Sequence, residues 1–337
     1  MPTFTARRTP WIAAAIGAAV LAVAAACGGS GGQEGGAAQL APEIVTTDLA
    51  VGPNSFSLAL ITEEQELILG AQVHARFFQV VGDQQVLRGE GDLEPVNITL
   101  SFVHEHADGT LHTHEAGELG VYKANVNFDQ PGIWAAEVTA TVDGKTYDPV
   151  TAAFEVREQS LSPAIGDPAP RSQQTILADV ADITEIDTSD PPNPDMHNMT
   201  IADAVTSGKP TLIVFATPAF CVSRICGPTK QMVDDLYDKY KGQANFVHVE
   251  PYFLEEARQG LGLCPVPIFN LQFARDPFDP DCPRLAPNQL PPPSEDWRLE
   301  TEPWVFVVDD EGNIGAKFEG VVATSEIESA LQQVLTQ

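Results

Sequence analysis

Two cysteines, Cys221 and Cys226, stand where an apolar run, 211–217, gives way to a helical pattern that reaches Tyr240. A thiol at a helix start faces unpaired backbone N–H groups and the positive end of the macrodipole, and both favour the thiolate. The thiolate is the reactive form, so this placement predicts redox chemistry at the pair. A second group with chemical potential is His104, His106, His112 and His114, set around the turn residues Asp108 and Gly109. A two-residue loop there would pair 107 with 110 and send the two histidine pairs to opposite faces. A three-residue loop with Gly109 left-handed would pair 106 with 110 and 104 with 112, and bring all four imidazoles to one face. The second arrangement suits Cu(II), Zn or Ni, so copper or zinc enters as a ligand of the chain without being a requirement of the thiol chemistry. Asp195, Met196, His197 and Met199 form a third, smaller group. Two thioethers and an imidazole suit Cu(I), although methionines in a loop also pack as ordinary apolar filling.

The segments around these residues change period along the chain. From about 43 to 158 the period is two: Phe56, Leu58 and Leu60; Val96, Ile98, Leu100 and Phe102; Tyr122, Ala124, Val126 and Phe128; Trp134, Ala136, Val138 and Ala140 each alternate with polar or small neighbours. Asp129 to Gly132 and Asp143-Gly144 supply turns between strands. About seven short strands with one apolar face each predict an immunoglobulin-like β-sandwich. From 159 to 337 strand and helix patterns mix. A short capped helix opens at Thr200, a buried strand covers 211–217, and a helix carries Met232, Val233, Leu236, Tyr237 and Tyr240 on one stripe. Strands follow at 245–249, 304–308 and 314–318, with a turn at 309–312 and a closing amphipathic helix over 325–335. Between 253 and 302 prolines are dense, which predicts an insertion with little regular structure.

The N-terminus gives a location. Arg7 and Arg8 precede an uncharged run, 11–26, too short for a membrane span and of the length of a signal-peptide core. It resembles a bacterial lipoprotein signal, with Ala24 where such signals more often carry Leu. The resemblance implies a signal over 1–26, lipidation at Cys27, a flexible Gly-rich tether over 27–42 and anchoring at the extracytoplasmic face of the membrane. A net charge of −29, with 43% hydrophobic residues, fits a folded, exported protein that avoids nucleic acid. With Cys27 set aside, four cysteines in an oxidising compartment allow three pairings, of which 221–226 with 264–282 is favoured. The 264–282 bond would be a structural staple within the insertion, stabilising by about 3 kcal/mol through loop closure.

Four marks carry a resemblance to the thioredoxin-like superfamily over 166–337. They are Gly166-Asp167-Pro168-Ala169-Pro170, a strand ending Phe215-Ala216-Thr217-Pro218, cysteines opening the next helix, and Thr301-Glu302-Pro303-Trp304 before a late strand. The resemblance implies a thioredoxin-like α/β fold, thiol–disulfide exchange with exported protein thiols or disulfides, and a cis-proline at Pro303 that faces the active cysteine and binds substrate backbone. It departs from the family at the cysteines, where C-x-x-x-x-C replaces C-x-x-C. Either Cys221 takes the nucleophile's place and Cys226 resolves it across a longer loop, or Cys226-Gly227-Pro228-Thr229 overlies the family's C-G-P-C, with Thr229 where the resolving cysteine stands and Cys221 resolving from upstream. Pro218, Ser223 and Cys226 also resemble the peroxiredoxin pattern with one residue too many, and Arg224 is the nearby candidate to hold a peroxide. Residues 120–134 resemble small periplasmic sandwich modules linked to copper handling. A redox-inactive thioredoxin-like scaffold and a metal-delivery lipoprotein are the remaining alternatives.

Overall fold

The computed structural model describes residues 40–62, 66–105, 111–277 and 279–336, with the backbone alone described for 101–105 and 111–116. Cys27, the signal and nearly all of the tether lie outside the described residues, as does His106. Among the described residues no helix is long and apolar enough to cross a membrane.

The first part is all-β. Its strands are β1 (Ala41–Ile44), β2 (Gly52–Ile61), β3 (Gln72–Val81), β4 (Gln84–Glu105), β5 (Leu111–Phe128), β6 (Gly132–Val142), β7 (Lys145–Thr146) and β8 (Val150–Val156). They make one curled antiparallel sheet in the order β1-β2-β5-β4-β3-β6-β7, with β8 also on β6. The expected alternation is present, but the two layers are continuous. β4 runs on through Gly89, Gly91 and Pro95, and its first half, to Leu93, pairs with β3 while its second half, from Glu94, pairs with β5. One 22-residue strand therefore belongs to both layers. Phe56, Phe77, Phe128 and Trp134 fill the space between them in edge-on contacts. The Tyr122 hydroxyl is satisfied inside this apolar core, donating to the Ile68 carbonyl at 2.8 Å and accepting from the Ala71 N–H at 2.9 Å. At Asp143-Gly144 both residues have positive φ, 50° and 79°, and Val142 pairs with Lys145. This is the two-residue turn that the dipeptide predicts.

The second part contains α1 (Ile201–Val205), β9 (Thr211–Phe215), α2 (Cys226–Tyr240), β10 (Asn245–Val249), α3 (Leu254–Arg258), α4 (Leu271–Arg275), β11 (Trp304–Val308), β12 (Ile314–Glu319) and α5 (Thr324–Leu335). Its four-stranded sheet runs β10-β9-β11-β12, parallel between β10 and β9 and antiparallel elsewhere. Thr200 caps α1 by accepting from the Asp203 N–H at 3.1 Å, with Asp203 returning a bond to the Thr200 N–H. Every residue of β9 and β11 is buried, as expected for central strands covered on both faces. One face packs on α2 and α5 through Val233, Leu236, Ile327 and Leu331, and the other on Phe269, Trp297 and Leu299. The last contact comes from the insertion, which has as little regular structure as its prolines predict. It forms α3 and α4, and it donates Trp297 and Phe269 to the core because apolar residues spaced along Pro-rich chain still find the open sheet face. Cys264 and Cys282 are disulfide-bonded there, with Cα atoms 5.4 Å apart.

Polar ties join the two parts. Lys317 Nζ reaches Asp48 Oδ2 at 3.4 Å, Glu319 accepts from the Thr47 N–H at 3.1 Å, and Lys123 pairs with Glu326 at 2.9 Å.

Candidate functional site

β9 ends at Phe215 and the chain turns repeatedly before α2 begins at Cys226. Phe220 and Cys221 both donate their N–H to the Thr217 carbonyl, at 3.2 and 3.0 Å, and Arg224 donates to the Cys221 carbonyl at 3.2 Å. Arg224 takes a left-handed backbone, φ 61°, unusual for a residue with a side chain. These turns bring Cys221 back over the helix start, where it is disulfide-bonded to Cys226 with Cα atoms 6.0 Å apart. The two sulfurs differ in environment. Cys226, the first residue of α2, is fully buried, whereas Cys221 is half-buried beside Val222, which is 87% exposed. The Ser223 hydroxyl donates to the Cys221 sulfur at 3.1 Å. Arg224 is exposed.

The curled sheet reaches this site. Cys221, Ile225, Met232 and Val321 pack with Ile98, Leu100, Leu119 and Val121 of β4 and β5. The second part supplies the sulfurs, and the first part covers one side of Cys221.

Glu302 approaches from the other side. Ligand atoms of Cys221, Cys226 and Glu302 lie within 4.8 Å of one another. The Glu302–Pro303 peptide bond is cis, as the resemblance implies. Glu302 accepts from the Thr217 N–H at 2.8 Å, but burial, with the neighbouring charge of Glu250 added, pushes its carboxyl up to about 8. Burial also raises Glu250 and Tyr252, Tyr252 further because Glu302 stands beside it. A carboxyl of this kind is mostly protonated at neutral pH and sits next to a disulfide whose cleavage creates a thiolate needing a proton.

Behind this lies a second polar cluster that sequence patterns did not assemble. Asp187, His197 and His248 are all buried, with ligand atoms within 4.8 Å of one another. Asp187 accepts from His197 Nε2 at 3.1 Å and from the Ser189 and Asn193 N–H groups at 2.8 and 3.2 Å. Although burial opposes its charge, the facing His248 holds its carboxyl well below the usual range. Lys230, on α2 and also buried, pairs with Asp234 at 2.7 Å. Of this group, sequence reading singled out only His197, within the Asp195–Met199 loop. Met196 is instead fully buried in the apolar core with Leu212 and Val214, and Met199 packs against the cluster on the opposite sheet face with Phe269 and Trp297, so the thioether reading of that loop gives way to packing. The available signal for the rest was His248 in the apolar run 245–249 and Lys230 on an otherwise apolar helix stripe.

The histidine hairpin is described only in backbone. His104 pairs with His112 and Phe102 with His114, the register of the three-residue alternative.

No family model matches the chain, and no curated protein matches it. Among solved structures, the chain is similar to the crystal structure of the outer membrane decaheme cytochrome OmcA, at 10% identity and a TM-score of 0.18. The match covers 52% of this chain and 33% of that one, so it spans about a third of the cytochrome's length, and a likeness of this size carries no argument.

Proposed function

We propose that the chain is a thiol–disulfide oxidoreductase whose second part, 159–337, is a thioredoxin-like domain, held at the extracytoplasmic face of a membrane by a lipid on Cys27 and acting on exported proteins. The observation that carries this reading is a disulfide with one half-exposed and one buried sulfur, at the start of a 15-residue helix and beside a protonated carboxyl. The β10-β9-β11-β12 order and the helix opening beside the disulfide support it. Exposure then assigns the roles, since only Cys221 can meet a partner in line.

A partner thiolate attacks Cys221 Sγ. A partner–Cys221 disulfide forms, the Cys221–Cys226 bond breaks, and its electron pair leaves on Cys226 Sγ. That charge is stabilised by the start of α2 and takes a proton from Glu302. A second partner thiolate attacks the partner's own sulfur in the mixed disulfide, and the electron pair leaves on Cys221. The partner dithiol is oxidised to a disulfide and the Cys221–Cys226 pair is reduced. The reverse sequence reduces a partner disulfide.

Trapping tests the assignment. The Cys226→Ser protein, incubated with a peptide disulfide, is expected to accumulate a mixed disulfide that mass spectrometry maps to Cys221. No adduct with Cys226→Ser, together with an adduct at Cys226 in Cys221→Ser, would overturn it.

A further inference from the structure

His248 lies on β10 with its Nε2–H donated to the Ala216 carbonyl at 2.9 Å, which fixes the tautomer and turns Nδ1 inward. Nδ1 is fully buried and has no hydrogen-bond partner among the described residues. It faces Asp187 Oδ1 at 3.6 Å. A bare nitrogen lone pair aimed at a buried carboxylate is unfavourable unless a cation stands between them. Two cations fit that position, a proton and a metal ion.

Three observations favour a metal. Each Asp187 oxygen faces one imidazole, Oδ2 at 3.1 Å from His197 Nε2 and Oδ1 at 3.6 Å from His248 Nδ1, both near the spacing of about 3.3 Å between ligands that sit about 2.0 Å from one tetrahedral zinc ion. The supporting contacts also match metal sites: His248 donates its other ring N–H to a backbone carbonyl, and Asp187 is held by two backbone N–H groups. Finally, a cavity of about 240 Å³ is lined by His197, His248 and Glu250, giving an approach and room for a water ligand. Glu250 Oε2, also buried and without a hydrogen-bond partner among the described residues, adds a second carboxylate to balance a divalent charge.

We propose that Asp187, His197 and His248 bind a divalent transition metal of the Zn(II) class, with water from the cavity completing a four-coordinate shell. Binding displaces the proton between His197 Nε2 and Asp187 Oδ2, and any proton on His248 Nδ1, into solvent, so affinity falls as the medium becomes more acidic. No ligand of the site is a cysteine, and Glu250 is the group it shares with the surroundings of Glu302.

The test uses the full-length chain with His104, His106, His112 and His114 all replaced by Ala, which removes the hairpin as a competing site. The chain is unfolded and refolded with Co(II), a spectroscopic probe, and passed through gel filtration. One cobalt per chain with four-coordinate ligand-field bands, displaced by Zn(II), is expected, and Cys221→Ser should leave the bands unchanged. His197→Gln should weaken Co(II) binding by about 100-fold. Asp187→Asn, checked for folding by circular dichroism, should do the same should the first variant misfold. No bound cobalt, with both His248 ring nitrogens protonated by NMR, would overturn the proposal and leave a buried imidazolium–carboxylate pair. Cobalt bound with undiminished affinity in both variants would overturn it equally.

Discussion

The two parts of the chain fill their interiors in opposite ways. In the curled sheet the core is Phe56, Phe77, Phe128, Trp134 and their aliphatic neighbours; among the described residues there, Ser57 is the one buried polar residue outside the ambivalent Tyr122. The second part buries Asp187, His197, Lys230, His248 and Glu250, and partly buries Glu302. Burying charge is costly unless it is paired. The second part is organised around that cost, with every such group within reach of the disulfide turn or of the histidine cluster behind it. The first part packs β4 and β5 against Cys221, and the second holds the disulfide turn and the buried charges.

The largest effect should come from the sulfurs. Cys221→Ser or Cys226→Ser should each abolish exchange with a disulfide substrate, whereas Cys264→Ala with Cys282→Ala should keep the exchange rate and lower thermal stability. Loss of exchange in the second pair with the fold intact would break the contrast between the two disulfides. Next, Trp134→Ala should cost about 3–5 kcal/mol in denaturant unfolding, because it empties the centre of an apolar core. Tyr122→Phe should cost less, about 1–3 kcal/mol, since it leaves the Ala71 N–H without its acceptor. Both should leave the reduction potential of the Cys221–Cys226 pair unchanged.

Much of this architecture was legible. Period-two runs located β2, β5 and β6, and Asp143-Gly144 marked its turn, because a half-buried strand must alternate and a two-residue hairpin loop needs positive φ. Cys221, Cys226 and the two pairings could be read from spacing and local pattern. The joining of both layers through β4 could not, since pairing partners are set by tertiary contacts between distant strands. The buried Asp187, His197 and His248 group was hidden for the same reason. It assembles from residues 10 and 51 positions apart, of which only His197 stands out in its own neighbourhood.

The smallest predicted effect probes the buried acid. Glu302 is raised to about 8 from the ordinary 4.5, so its folded form binds a proton that the unfolded chain releases between those values. Its stabilising contribution is fully present below pH 4.5, is lost as pH rises, and is gone above about 8. Glu302→Gln should therefore match the parent protein's melting temperature at low pH and exceed it above pH 8, read by calorimetry. An equal shift at every pH would mean that the carboxyl does not titrate in this window.

The most direct test measures the reduction potentials of both disulfides in one molecule, by differential alkylation in a graded thiol buffer. The account predicts about −120 to −270 mV for Cys221–Cys226 and below about −300 mV for Cys264–Cys282. A Cys221–Cys226 value below about −300 mV would make both bonds structural and contradict the oxidoreductase reading.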